Sequence, residues 1–265
     1  MSLLDIRGKK LYVKRIEADE GSEKAITVFF IHGLGSAIEY YEGLITHLKT
    51  KKVDLIFMDT EGAARSPLSG TKPTIDTIAD DVIGVLDHFG IEKSVIVGHS
   101  MGGMIAARTA ERYPRRIIQI ILIGPVHPTE KIAIAFKRRI QRINETGGIG
   151  FLIEMVPSSA VGRNANDDHK RKIASLIVQS SPEGYIANCH VIADAAKAVP
   201  NYSLVKQPAL LIAGEDDKTA PYEGCVQVIE KSLGGQVTTE ELVGVGHWHC
   251  VEAPEAVAVL IAKVI

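Results

Sequence analysis

The chain has 265 residues, 46% of them hydrophobic, and its 30 basic and 32 acidic residues give a formal net charge of −2. A chain of this length buries a substantial apolar core, and the near balance of charges excludes the strongly basic surface that nucleic acid binding needs. No apolar run reaches the roughly 18 residues of a membrane-spanning helix, so we expect no membrane partner.

The start of the chain and its cysteines favour a protein that is not exported. The first ten residues include Asp5, Arg7, Lys9 and Lys10, where a signal peptide has an apolar segment. The three cysteines are odd in number and widely spaced, at Cys189, Cys225 and Cys250. We therefore expect reduced thiols in a cytoplasmic protein.

The apolar pattern predicts short strands separated by helix-length segments. Residues 11–16 alternate between apolar and polar side chains, as in a half-exposed antiparallel strand. Nearly continuous apolar runs then indicate parallel strands covered by helices on both faces, at Ile26–Ile31, Val53–Met58, 94–97, Ile117–Ile123 and 208–213. A helix is predicted from Ile75 to a stop at Gly90, a last strand at 236–243, and a closing helix at 253–265.

This alternation breaks between residues 127 and 200, where helical patterns follow one another without a strand. We predict that residues 127–200 form a helical cap over the carboxyl edge of the sheet, where ligands bind in open α/β folds. Residues 1–126 and 201–265 then form the core. Within the cap, helices are predicted near 166–179 and 182–198. Arg139 lies near the apolar edge of the first cap helix, where it either reaches a substrate anion or extends its charge to solvent; we favour solvent.

The strongest chemical signal is Gly-His-Ser-Met-Gly at residues 98–102, between a predicted strand and a predicted helix at 104–113. This context is typical of a nucleophile elbow, in which a serine on a strained turn projects its hydroxyl above the sheet. Side chains at Gly98 and Gly102 would clash with the neighbouring strand and helix. We therefore predict that Ser100 is a nucleophile and that His99 supports it.

A second motif, His-Gly-Leu-Gly at residues 32–35, follows the strand Ile26–Ile31. In folds with this elbow, that loop supplies one backbone N–H to the oxyanion hole, and the residue after the nucleophile supplies the other. The predicted donors are Leu34 and Met101. An ordinary glycine-rich turn is the alternative, and His32 is expected to hold the loop in place.

The base and its orienting acid are expected later in the chain, because this fold orders them as serine, acid, histidine. His247 is the predicted base, since Gly246 before it allows a short loop to turn the imidazole back; His249 competes. Three carboxylates, Glu215, Asp216 and Asp217, follow the strand at 208–213. Only one can face the imidazole and fix its tautomer, and their spacing alone does not decide which.

A serine nucleophile forms an acyl ester, so the substrate is expected to carry an acyl carbon. Val126, His127 and Trp248 are candidates to line the pocket, with packing as an equal alternative for the first two. The sequence contains no metal-ligand cluster, P-loop or dinucleotide fingerprint, so we expect neither metal nor cofactor. The oligomeric state is left open.

Two loops resemble the α/β-hydrolase superfamily, and the resemblance extends over essentially the whole chain. Gly214-x-x-Asp217 followed by Pro221 resembles its acid loop, which implies Asp217 rather than Asp216 as the acid. Residues 246–248 followed by 252–255 resemble its histidine loop and the start of its last helix. The resemblance implies a mostly parallel, twisted sheet of about eight strands with helices on both faces and a cap after the sixth strand.

The cap resembles that of 3-oxoadipate enol-lactonases at residues 181–185, Cys189 and 192–193, which implies a hydrolase of small lactones or esters. The chain departs from the superfamily after Asp59, where Glu61 replaces an arginine and Ala63 a histidine. A glutamate near the site is expected to disfavour a dianionic lactone.

Together these features predict a serine hydrolase that cleaves a small-molecule ester or lactone. A carbon–carbon bond hydrolase or a cofactor-free perhydrolase would use the same three side chains. A small-molecule receptor with slow turnover is the alternative from a different class.

Overall fold

The computed structural model of the protein describes residues 2–18, 25–48 and 52–265. Its eight strands form one sheet in the order β1-β2-β4-β3-β5-β6-β7-β8. β1 and β2 are antiparallel to their neighbours, and the remaining pairs are parallel. The predicted, mostly parallel sheet of about eight strands is therefore confirmed. The strands are β1 Ser2–Ile6, β2 Lys9–Ile16, β3 Ile26–Ile31, β4 Val53–Met58, β5 Ser94–His99, β6 Ile117–Ile123, β7 Ala209–Gly214 and β8 Val237–Leu242.

Helices cover both faces of the sheet. Along β3, Phe29 and Ile31 join one buried cluster with helices α2 and α3, whereas Val28 and Phe30 join a second cluster with α1 and α10. Because strand side chains alternate between faces, burial on both sides produces the continuous apolar runs of the central strands. The helices are α1 Glu42–Leu48, α2 Ile75–His88, α3 Met101–Arg112, α4 Glu130–Thr146, α5 Gly150–Ser159, α6 Asp167–Ile177, α7 Pro182–Ala195, α8 Gln227–Ser232, α9 His249–Glu252 and α10 Pro254–Ala262.

Four consecutive helices, α4 to α7, lie between β6 and β7, as the break in alternation predicts. We call residues 127–200 the cap. α4 begins at the N-cap Thr129, whose side chain accepts from the Ile132 N–H, and ends at Gly147 in a left-handed conformation. No helix in the described ranges is both long and apolar enough to cross a membrane.

Candidate active site

The turn between β5 and α3 holds Ser100 in a strained backbone conformation, with φ 54° and ψ −113°. Two glycines make this turn possible. A Cβ on Gly98 would lie 2.1 Å from the Gly102 carbonyl oxygen, and a Cβ on Gly102 would lie 2.1 Å from the Ile31 carbonyl oxygen. Only hydrogen fits at either position, so the sequence motif and the strained turn depend on each other.

Three side chains that are far apart in sequence meet at the carboxyl edge of the sheet. His247 Nε2 lies 2.9 Å from Ser100 Oγ, and His247 Nδ1 lies 2.8 Å from Asp217 Oδ2. All three side chains are buried. With Nδ1 protonated toward the carboxylate, Nε2 presents its lone pair to the serine hydroxyl, which is the tautomer a general base requires.

Asp217 is held as a carboxylate. Its Oδ1 accepts hydrogen bonds from the backbone N–H groups of Thr219 and Ala220, at 2.8 and 2.9 Å. Burial alone would raise the pKa of Asp217, but the charge and hydrogen bond of His247 lower it well below its usual range, aided by His249 and the Ala220 N–H. An ionised, buried acid fixes the orientation of the imidazole and stabilises it when it becomes protonated.

The neighbouring acid, Asp216, faces the surface. Arg163 on the cap forms ion pairs with Asp216 and with Glu215, and all three side chains are partly exposed. Arg163 thus pairs with two of the three consecutive carboxylates at a position away from the His247 imidazole. The geometry therefore agrees with the resemblance-based choice of Asp217.

Two further imidazoles hold the backbone of His247. His99 Nε2 lies 2.8 Å from the His247 carbonyl oxygen, and His249 Nδ1 lies 3.0 Å from the same atom. Burial lowers the pKa of His249 to about 4 and that of His99 well below its ordinary value, and the charge of His247 adds to both shifts. Each ring is thus neutral near pH 7 and can donate one N–H to this carbonyl. His249 thus contacts the His247 backbone, and the imidazole within hydrogen-bonding distance of Ser100 Oγ is that of His247.

The cap also contacts the histidine loop directly. The His247 N–H donates to the Ala160 carbonyl at 2.8 Å. The Glu252 carboxylate accepts three backbone N–H groups, from Gly162 at 2.8 Å and from Gly246 and Trp248 at 3.0 Å each. One side chain thereby joins the cap to both residues that flank the base. The sequence signal for Glu252 was only its place in the histidine-loop resemblance, and its role was not predicted.

The predicted oxyanion loop, residues 32–35, packs closely against the turn that carries Ser100. A Cβ on Gly33 would lie 2.8 Å from His99 Nδ1 and 3.0 Å from Ser100 Cβ. His32 holds this loop, since its Nδ1 lies 2.7 Å from the Gly33 carbonyl and its Nε2 accepts from the Thr60 N–H at 3.1 Å. Leu34 lines the cavity, and Met101 begins α3, so its N–H has no acceptor within that helix.

A cavity of about 100 Å³ opens beside Ser100 between the core and the cap. Trp248 lines it, whereas Val126 and His127 do not. Val126 packs in the core, and His127 packs against Tyr202 and donates its N–H to Cys225 Sγ. For Val126 and His127 the structure therefore agrees with packing, which was the alternative interpretation of these two residues. The wall is formed by Leu34, Ser100, Phe136, Arg139, Met155, Val156, Ser159, Ala160, Ile177, Tyr185, Ile192, Thr219, His247 and Trp248.

Glu61, which replaces the arginine usual in the superfamily, does not face this cavity. Its carboxylate lies 2.8 Å from Lys9 Nζ and accepts from the Ser69 hydroxyl at 2.6 Å. Burial would raise the pKa of Glu61, but Lys9 and Ser69 together lower it. Glu61 therefore lies outside the cavity wall, where Lys9 pairs with it and with Asp81, and the position of its carboxylate gives no support to the expectation that it disfavours a dianionic lactone.

Comparison with known proteins agrees with this fold. A family model described as serine aminopeptidase, S33, matches residues 22–253. The chain is 26% identical over 240 residues to 3-oxoadipate enol-lactonase 2 of Acinetobacter baylyi, covering 86% of this chain and 84% of that protein.

Two solved structures share the fold. An esterase from Thermogutta terrifontis, solved with malate bound, superposes with a TM-score of 0.85 at 22% identity, covering 96% of this chain and 92% of that one. The enol-lactonase from Burkholderia xenovorans LB400 gives 0.84 at 20% identity, with 98% of each chain covered. Because the family model matches most of its length, the chain belongs to the serine aminopeptidase S33 family of α/β-hydrolases.

Proposed function

We propose that the protein cleaves a small carboxylic ester or lactone through an acyl-enzyme intermediate on Ser100. The observation that supports this most directly is the continuous hydrogen-bonded series from Ser100 through His247 to Asp217, at 2.9 and 2.8 Å, beside a cavity. Relatives among enol-lactonases and esterases support its assignment as a carboxylic ester or lactone hydrolase.

The reaction begins when His247 Nε2 removes the proton from Ser100 Oγ and the oxygen attacks the carbonyl carbon. The N–H groups of Leu34 and Met101 bind the oxyanion, and each such donor contributes about 3 to 4 kcal/mol to stabilising the transition state. The protonated His247 then gives its proton to the leaving oxygen. Water, activated by the same imidazole, releases the acyl group from Ser100.

The cavity supports a small substrate. Its volume of about 100 Å³ is well below the roughly 300–1,000 Å³ of pockets for drug-sized ligands. In a lactone the leaving oxygen stays attached to the acyl group, so the enclosure must hold it aside while water enters. The cap residues of the cavity wall provide that enclosure.

Peptides with a free amino terminus fit the cavity poorly, although the family is named for aminopeptidases. Recognition of an ammonium group requires carboxylate or carbonyl acceptors. Within the described residues no Asp or Glu lines the cavity, and its cation, Arg139, would repel an ammonium group. The charge of the wall therefore favours esters and lactones over aminoacyl substrates.

The proposed compartment is the cytoplasm. Cys189, Cys225 and Cys250 are all buried free thiols. Thiols that remain unpaired are typical of a reducing compartment.

A substrate panel tests the proposed function. Short-chain nitrophenyl esters, a series of small lactones and aminoacyl nitroanilides are offered to the wild type and to Ser100→Ala. We expect ester or lactone turnover by the wild type and a loss of about four to six orders of magnitude in kcat in the variant. Cleavage of nitroanilides in preference to esters, or full activity of Ser100→Ala, would reject the proposal. Binding of lactones without turnover would favour the receptor.

A further inference from the structure

One cation faces the cavity beside Ser100. Arg139 lies on α4 and forms part of the cavity wall. Among the described residues of that wall it alone carries a permanent charge, because the others are apolar or hydroxyl-bearing or are the imidazole of His247. A guanidinium remains protonated at every pH that a folded protein tolerates. The cavity therefore has a fixed positive charge without a fixed negative one.

The contacts of Arg139 leave this charge uncompensated. Its Nη1 lies 3.3 Å from the Tyr185 hydroxyl oxygen, and its guanidinium carbon lies 5.0 Å from the centre of the Phe136 ring. In the part of the chain that the structure describes, no carboxylate lies within ion-pairing distance of it. Arg108 and Arg163, by contrast, each pair with two carboxylates. A guanidinium has five N–H donors, and Tyr185 uses one of them.

Two neighbours of Arg139 stay neutral and leave its charge available. Burial raises the pKa of Tyr185 to about 12, so the phenol keeps its proton and can donate it to a ligand while accepting from Arg139. Burial also raises the pKa of the Cys189 thiol to about 12. Neither group supplies an anion to Arg139 near pH 7.

We propose that Arg139 and Tyr185 form a carboxylate-binding subsite, so that the preferred substrate is a small ester or lactone carrying a second, ionised carboxylate. This inference rests on the proposed function. The planar guanidinium offers two parallel N–H donors that match the two oxygens of a carboxylate. In a partly enclosed cavity such a pair is stronger than at an open surface, because less water screens it. The remaining apolar wall accommodates the carbon chain between the two ends of the substrate.

Two esters of nearly the same shape test the subsite. Monoethyl succinate carries the carboxylate, and ethyl 4-methylpentanoate has an isopropyl group in its place. For Arg139→Met, we expect the ratio of kcat/KM for the acid ester to that for the neutral ester to fall about 10- to 100-fold. Arg139→Lys keeps the charge but loses the paired donors, so its ratio should fall less. The matched control is Arg142→Met, on the same helix, whose guanidinium lies 4.3 Å from the Phe151 ring centre.

The outcomes separate a binding role from a packing role. An equal fall for both esters in Arg139→Met leaves the ratio unchanged, assigns Arg139 to packing and overturns the subsite. The absence of any fall overturns it as well. If the wild type hydrolyses neither ester, the ester and lactone panel above judges the proposed function, and calorimetry with succinate on Ser100→Ala judges the subsite. Succinate binding that is lost in the Ser100→Ala, Arg139→Met double variant supports the subsite. Binding that is absent from Ser100→Ala, or retained in the double variant, overturns it.

Discussion

Ser100 depends on two glycines that leave no space for a methyl group. We predict that Gly102→Ala lowers the free energy of unfolding by more than about 3 kcal/mol, because the new Cβ would meet the rigid backbone of β3. Gly150→Ala is the control, since a Cβ there has open space and alanine is the better helix former. Urea unfolding of both variants measures the difference. Equal stabilities would show that the elbow backbone is less constrained than its contacts indicate.

Asp217 and Asp216 are adjacent in sequence and differ in what they contact. Asp217→Asn should lower kcat by about 10⁴-fold, because an amide cannot hold His247 in the tautomer that faces Ser100. Asp216→Asn loses a partly exposed ion pair with Arg163 and keeps one oxygen that can accept from the Arg163 N–H, so it should change kcat by less than about threefold. Steady-state kinetics with one neutral ester compares them. A larger loss in the Asp216 variant would exchange their roles.

How far the sequence predicts these residues depends on whether a local pattern specifies them. Ser100 and its glycines form a contiguous motif, and His247 and Asp217 follow from chain order and from loop resemblance. The support from His249 arises from a bond within the histidine loop, and that from Glu252 also joins this loop to the cap; no local pattern encodes either contact. Arg139 was expected to extend to solvent because periodicity places it at the edge of a helix face, but α7 brings Tyr185 and the cavity wall beside it.

Among the elements, the connection between α5 and α6 contributes to holding His247 in place. Glu252 accepts N–H groups from Gly162 of this connection and from Gly246 and Trp248. Glu252→Gln replaces an acceptor oxygen by an amide donor, so one or more of these groups loses its partner. We expect kcat for a neutral ester to fall on the order of 10- to 100-fold, because displacement of a catalytic group by about 1 Å has an effect of this size.

Kinetics at a temperature where the Glu252→Gln variant is folded provides the test, with the melting temperature measured alongside. Glu255→Gln, at an exposed position three residues later, is the matched control. A rise in KM with an unchanged kcat would place Glu252 in substrate binding and contradict a positioning role.

The central strands, which are buried on both faces, were predicted well, and so was the edge strand β8, whereas the edge strand β1 and the cap helix α5 were missed. The central parallel strands have continuous apolar runs because helices cover both sides. β1 was missed, since it is an edge strand with one buried residue, Ile6. Its hairpin signal was the pair Arg7-Gly8, both at positive φ, between the paired residues Ile6 and Lys9. α5 was also missed, because it contains Pro157 and its apolar residues lack helical periodicity.

At the scale of the whole molecule, buried histidines make stability depend on pH. Burial lowers the pKa of His32, His99 and His249, the last from 6.5 to about 4. The unfolded chain therefore binds more protons than the native protein below about pH 6.5, and stability is lost as pH falls through that range. His249 alone should contribute a loss of about 1 to 2 kcal/mol between about pH 6.5 and 5.

The test compares urea unfolding at several pH values for the wild type, His249→Gln and the control His88→Gln, at an exposed position. The His249 variant should show a shallower fall in stability over this range, whatever its absolute stability. The pKa of Asp217 is lowered in the native protein. Its contribution to stability is therefore lost only at more acidic pH, below the ordinary pKa of a carboxyl group. A slope that is unchanged in His249→Gln would mean that this imidazole is not held neutral in the native protein.

The proposed chemistry requires the fold to make one serine hydroxyl reactive toward an electrophile. Intact-protein mass spectrometry after brief exposure to an alkyl fluorophosphonate tests it directly, since the serine oxygen displaces fluoride and retains the phosphonyl group. We expect one adduct per chain, located by peptide mapping at Ser100, formed much more slowly in His247→Gln and absent from Ser100→Ala. Modification of a different residue, or equal modification of Ser100→Ala, would contradict it.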